Sequence, residues 1–137
     1  MNIFICASKH CYHLIAPIKE ELEKQGHSIT LPNSFDDPFM EERVKKESRE
    51  KHSEVKAHYL KLQCEKVKKN DAVLVMNFEK KGQPNYVGGA TFLEIFKAFE
   101  LDKKIFFMNP IPEDTTFTDE LIGINPIVIN QDLSKIM

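Results

Sequence analysis

The sequence predicts an α/β domain built on an open parallel sheet, and three observations carry that reading. Short, uniformly apolar runs recur along the chain: IFIC from Ile3, AVLVM from Ala72 and IFFM from Ile105. Between them lie longer segments whose apolar residues return at helical spacing. Turn residues mark several of the joins, among them Gly26, Gly82 with Pro84, and Asn109 with Pro110. A strand covered on both faces needs apolar residues throughout, so the unbroken runs point to a sheet sandwiched between helices.

Taken in order, Asn2 to Cys6 is the first strand, and its composition places it at the centre of the sheet. The loop Ala7 to Tyr12 follows, holding Ser8, Lys9, His10 and Tyr12. Leu14 to Gln25 reads as a helix with Leu14, Ile15, Ile18 and Leu22 on one face, Pro17 in its first turn where a missing N–H matters least, and Gly26 as its stop. His27 to Leu31 is short and modestly apolar, which suits an outer strand. Pro32 to Pro38 is loop by composition. As one rod, Glu41 to Lys69 would span roughly 43 Å, against a radius of gyration of about 14 Å for a domain of this size, so it should break or protrude. Lys45 to Glu54 has no apolar residue, whereas Val55, Tyr59 and Leu62 recur at helical spacing, joined by Leu60 and Val67, so only the second half is expected to pack. The first half is either a solvated helix face or a flap carrying Arg43, Lys45, Lys46 and Arg49 toward an anionic ligand; the sequence favours the solvated face.

Asp71 opens the strand Ala72 to Met76, which Asn77 closes. Phe78 to Tyr86 is a loop, and Ala90 to Leu101 a helix whose apolar residues cover most of the circumference, leaving Thr91, Glu94 and Lys97 as the polar stripe. Lys103 and Lys104 lead into the fourth strand, IFFM, which ends at Asn109 and Pro110. Asp119 to Ile122 is a helical turn and Pro126 to Ile129 the last strand. This succession predicts a single domain over residues 1–137 with a flavodoxin-like, doubly wound five-stranded parallel sheet in the order 2-1-3-4-5.

Composition narrows the function classes. Nineteen basic against twenty-one acidic residues, net charge −2, provide no field to attract nucleic acid or an anionic membrane. The apolar run Ile3 to Ala7 is too short for a signal-peptide core or a membrane span, and a soluble, cytoplasmic protein is expected. Cys6, Cys11 and Cys64 are odd in number and lack CxxC spacing, which speaks for reduced thiols over a disulfide framework or a zinc site. The carboxylates Glu113, Asp114, Asp119, Glu120 and Asp132 have no metal-ligand spacing and read as surface. No metal or cofactor is implied, since the pair Gly88–Gly89 also lacks the spacing of a Rossmann or P-loop fingerprint.

The candidate site centres on Asn85 to Leu101. Open parallel sheets bind ligands beyond the carboxyl ends of their strands, where backbone N–H groups at helix starts point inward. Gly88 and Gly89 lie at such a start, and Glu94 is expected in the first turn of the helix, kept ionised by the dipole. Duller readings stand beside these: Glu94 paired with Lys97 in water, the glycines as a flexible turn, Tyr12 packed under the first helix, His10 solvated, and Asn77 and Asn109 capping turns.

From Asp71 to Ile105 the strand-initial aspartate, apolar strand, glycine-containing loop, TxxE at Thr91 to Glu94, and Lys-Lys before the next strand resemble the nucleoside 2-deoxyribosyltransferase family. The family signature is D-x-G-T-x-x-E-x-G-x-A; here it reads GGATFLEIFKA, so Thr91, Glu94 and Ala98 match, while Gly88, Ala90 and Phe96 depart. IFICASKH also resembles the family's first strand and loop. The resemblance implies a small-molecule nucleoside or nucleotide substrate, Glu94 attacking the anomeric carbon, and a glycosyl ester resolved by a second base or by water. It implies substrate contacts from the first loop, Ser8, His10 and Tyr12, and from the signature residue Thr91, while position at strand ends and at the helix start adds Asn77, Asn109, Gly88 and Gly89; the apolar excess of the helices, with the family's assembly through such faces, leads to the expectation of a homo-oligomer. The family's acidic partners fall on Gly88 and near Gln63. A non-catalytic nucleotide-binding domain is therefore the alternative, and an interaction module built on the charged segment a third reading.

Overall fold

The computed structural model describes residues 1–137. Its five strands are β1 (Asn2–Cys6), β2 (Ser28–Thr30), β3 (Ala72–Val75), β4 (Lys104–Phe107) and β5 (Ile127–Val128), all parallel in the order β2-β1-β3-β4-β5. This is the flavodoxin-like arrangement the apolar runs predict. β1 and β3 are neighbours at the centre, pairing Ile3 with Ala72 and Cys6 with Val75.

Successive strand residues point to opposite faces, and both faces are filled. On one, Ile3, Ile5, Leu74 and Phe106 pack with Ile15 and Leu22 of α1 (Ile15–Lys24). On the other, Phe4, Cys6, Val73, Val75 and Phe107 meet Val67 of α3 (Arg49–Lys69), Ile95 and Ala98 of α4 (Gly89–Glu100), and Leu121 of α5 (Thr118–Ile124). Every residue of β3 is buried, which is why that run shows no alternation.

The charged stretch breaks, as its length requires, into α2 (Met40–Glu47) and α3. The break is Ser48, held extended, whose Oγ accepts from the Lys51 N–H at 3.0 Å and caps α3. α2 buries no residue, and the buried positions of α3, Gln63 and Val67, fall in its second half. The segment read as a plain loop after β1 instead contains a 3-10 turn, Lys9–Leu14, because the Cys11 N–H returns to the Ser8 carbonyl at 2.9 Å and Cys11 is drawn into the core. No helix is long and apolar enough to cross a membrane.

Candidate functional site

The connection after β1 leads to a helix on one face of the sheet, and that after β3 leads to a helix on the other. The crevice between them is the topological switch point of this strand order. A cleft of about 280 Å³ opens there. Its walls come from four stretches: Ser8, Lys9 and Tyr12 after β1; Asn33, Ser34, Glu41 and Glu42 from the loop after β2 into the first turn of α2; Lys56, Tyr59 and Gln63 on one face of α3; and Tyr86, Gly88, Gly89, Thr91 and Glu94 around the start of α4.

Glu94 lies in the second turn of α4, the sixth residue of a helix that begins at Gly89, and not in the first turn. It is only 7% exposed, although it lines the cleft. Burial pushes its carboxyl up to about 8; the Cys6 thiol hydrogen-bonded to it and the ammonium groups of Lys66 and Lys56 pull the other way without prevailing. The expectation of a dipole-ionised carboxylate is thus corrected: the group is predominantly protonated at pH 7, because one turn further into the helix it gains less from the dipole and loses its water. The ion pair on this stripe is Lys97 with Glu100 at 2.7 Å, on the solvent side. Burial likewise lowers the Lys66 ammonium, and its Nζ donates to the Leu31 carbonyl at 2.8 Å.

The glycine pair keeps space open. Gly88 has an ordinary φ of −83°, so the turn itself does not require glycine. A Cβ there would stand 3.3 Å from the Tyr86 ring and hydroxyl and 3.4 Å from Ser8 Oγ. At Gly89 a Cβ would meet nothing within 4 Å, so any side chain would enter open space. Thr91 is buried against the same wall. The Tyr12 hydroxyl hydrogen-bonds Ser34 Oγ at 3.0 Å, and burial raises its pKa, with Glu94 and Glu41 adding to the shift.

Three of the sequence candidates do not line the cleft. His10 packs edge-on against Tyr86, with Nε2 3.1 Å from Cys11 Sγ, and burial followed by Lys80 lowers its pKa. Asn77 is fully buried: its Nδ2 donates to the carbonyls of Asn109 and Pro110, both at 2.9 Å, and its Oδ1 accepts from the Asn109 N–H at 3.0 Å. Asn109 Nδ2 returns a bond to the Asn77 carbonyl at 3.1 Å. These two asparagines tie the ends of β3 and β4 together, since each leaves a strand whose last carbonyls need donors.

The sequence reading missed the part of the cleft wall that α2 and α3 supply. The charged stretch, expected as a solvated face with a basic flap as the alternative, brings acids to the cleft: Glu41 pairs with Lys56 at 3.4 Å and Glu42 with Lys9, while Arg43 turns outward to Asp37. Gln63, where the resembling family has an acid, donates to the Ala90 carbonyl at 3.0 Å and fastens α3 to the start of α4. The signal was present in the spacing of Lys56, Tyr59 and Gln63, which by steps of three and four form one helical face.

Fold and cleft together define an α/β domain of flavodoxin-like topology with a polar site at its switch point. No family model and no curated protein matches the sequence. Among solved structures, the chain is similar to the CMP N-glycosidase BcmB of Clostridium botulinum, with a TM-score of 0.56 and 20% identity over 98% of this chain and 96% of that one. At that identity the likeness establishes the fold.

Proposed function

We propose that this chain cleaves the N-glycosidic bond of a nucleoside or nucleotide, with Glu94 as the nucleophile and water or a second base as acceptor. The observation that carries the reading is a carboxyl buried at the switch-point cleft, at the position of the TxxE glutamate, in a fold shared with an N-glycosidase.

The protonated resting state fits the stoichiometry. As the C–N bond breaks, the proton of Glu94 passes to the departing base, through the Tyr12 hydroxyl or a water, and the freed carboxylate closes on the anomeric carbon to form an ester. Water then splits the ester, returning the carboxylic acid and the free sugar, so no proton is gained or lost over the cycle. An acceptor base in place of water makes the same reaction a transfer. Burial serves this chemistry by withholding solvent from an oxocarbenium-like transition state.

The replacement of the family acids by Gly88 and Gln63 favours one other reading, a nucleotide-binding domain without turnover. Incubation with nucleosides, deoxynucleosides and their 5′-monophosphates, following free base by chromatography, separates the two. Release of base that falls at least about a thousandfold in Glu94→Ala supports the nucleophile. Equal rates in parent and variant remove that assignment, and binding without release supports the second reading. The half-exposed face of Leu93, Phe96 and Phe99, continued by Gly123 and Ile124, also leads us to propose a homo-oligomer joined there.

A further inference from the structure

The α2 wall of the cleft is held to the domain by side chains alone. The segment runs from Asp36 to Glu47, and its Pro38, Glu41 and Glu42 line the cleft. Before it the chain is fixed by Phe35, which packs against the core on the α1 side of the sheet. After it the chain is fixed by Ser48, in extended conformation and capping α3. Between these points no residue is buried. Backbone bonds outside the α2 ladder stay local: Asp37 N–H donates to the Ser34 carbonyl at 3.1 Å, Met40 N–H to Asp37 at 3.3 Å, Arg43 N–H to Phe39 at 3.1 Å and Ser48 N–H to Val44 at 3.2 Å. Arg43 Nη1 also donates to Asp37 Oδ1 at 3.1 Å, which ties the loop to the helix and makes one stiff piece between two fixed ends.

The contacts that keep this piece on the cleft are weak. Glu41 pairs with Lys56 and Glu42 with Lys9, the Tyr59 hydroxyl donates to Met40 Sδ at 3.6 Å, and the Lys9 ammonium stands 5.7 Å from the centre of the exposed Phe39 ring. The four side chains of the two ion pairs are 31–43% exposed, a range in which such pairs contribute little and are screened by salt. Against them stands a cost of the closed position: Glu42 Oε2 is shielded from solvent and has no donor. A shielded acceptor without a partner costs at least as much as an exposed ion pair returns, so a position in which Glu41 and Glu42 are hydrated is close in free energy. The closed cleft holds about 280 Å³, at the lower bound of roughly 300 Å³ for pockets that take small molecules, and entry of such a ligand is eased by withdrawal of one wall.

We propose that residues 36–47 form a lid on the cleft, hinged at Asp36 and Ser48 and latched by the Glu41–Lys56 and Glu42–Lys9 pairs. Opening breaks the two latches together, because the acids are consecutive residues of one helical turn. The open position admits a ligand to the switch point; closure returns α2 to the cleft and withholds water from what is bound there. The lid governs access for any small molecule the cleft takes, and it stands independently of the nucleoside reading.

The chain supplies its own probe. It has three tyrosines and no tryptophan, and Tyr12, Tyr59 and Tyr86 all line this cleft, so quenching of intrinsic tyrosine fluorescence by acrylamide measures access to it. Glu41→Gln/Glu42→Gln, which removes both latches, is expected to raise the quenching constant at least about twofold, and the parent to approach the same value as salt rises from about 0.05 to about 1 M. Lys45→Gln, exposed on the same helix, is the control and leaves quenching unchanged. Amide exchange followed by NMR is expected to quicken about tenfold over residues 40–47 in the double variant, with Val55 to Lys69 unchanged. Equal quenching of parent and double variant, or quenching of the parent that ignores salt, overturns the lid. So does a Lys45→Gln effect of the same size, or faster exchange that extends equally through Val55 to Lys69, which marks general loosening in place of a hinged motion.

Discussion

Two polar clusters sit at the same edge of this sheet and behave in opposite ways. At the ends of β3 and β4, Asn77 and Asn109 spend their amides on each other's backbone, on the Pro110 carbonyl and on the Gln131 amide, so the crevice between those strands is closed by satisfied hydrogen bonds. At the switch point one strand over, Glu94 is buried without an ionic partner in direct contact, and Asn33 and Glu42 each keep an unpartnered oxygen. The residue types alone do not distinguish the clusters. What separates them is whether the protein supplies the partner: a satisfied cluster contributes to folding, and an unsatisfied one holds free energy that a ligand can recover.

The contrast is sharpened most by pH. A carboxyl raised from 4.5 to about 8 binds its proton more tightly in the folded than in the unfolded chain. The unfolded chain therefore gives up the proton first, and stability falls as pH rises from about 4.5, levelling off above about 8. The decline attributable to Glu94 is at most about 5 kcal/mol. Urea unfolding across this range is expected to show Glu94→Gln with a flatter profile than the parent and, at pH 8.5, greater stability. An unchanged slope would mean that Glu94 is ionised or hydrated in solution.

The satisfied cluster is expected to answer differently. Asn77→Ala strands the Asn109 N–H and removes a donor from two carbonyls, at a cost of about 2–3 kcal/mol at neutral pH. The denaturation midpoint should fall while the activity per folded molecule stays within about twofold. A stable Asn77→Ala protein with lost turnover would return Asn77 to the site.

How far the sequence carried this picture follows from the same distinction. The sheet order was legible because doubly covered strands must be apolar throughout, as Ile3 to Cys6 and Ala72 to Val75 are. Glu94 was legible through the TxxE resemblance, but its protonation was not, since that depends on burial one turn into α4 and on Cys6 from another strand. Glu41 could not be read at all: it enters the cleft because Ser48 breaks the charged stretch and α2 packs back along α3. Such a fold-back brings residues together by topology, and local periodicity carries no record of it.

The central claim is that a neutral, buried Glu94 supplies both the proton and the nucleophile for N-glycosidic cleavage. Its most direct test is the pH dependence of kcat/KM for release of base, which reports the protonation state of the free protein. The account predicts a plateau that falls as pH rises through about 8, with Glu94→Gln at background throughout. Activity that rises through that same pH, as a carboxylate needed in ionised form would give, contradicts it.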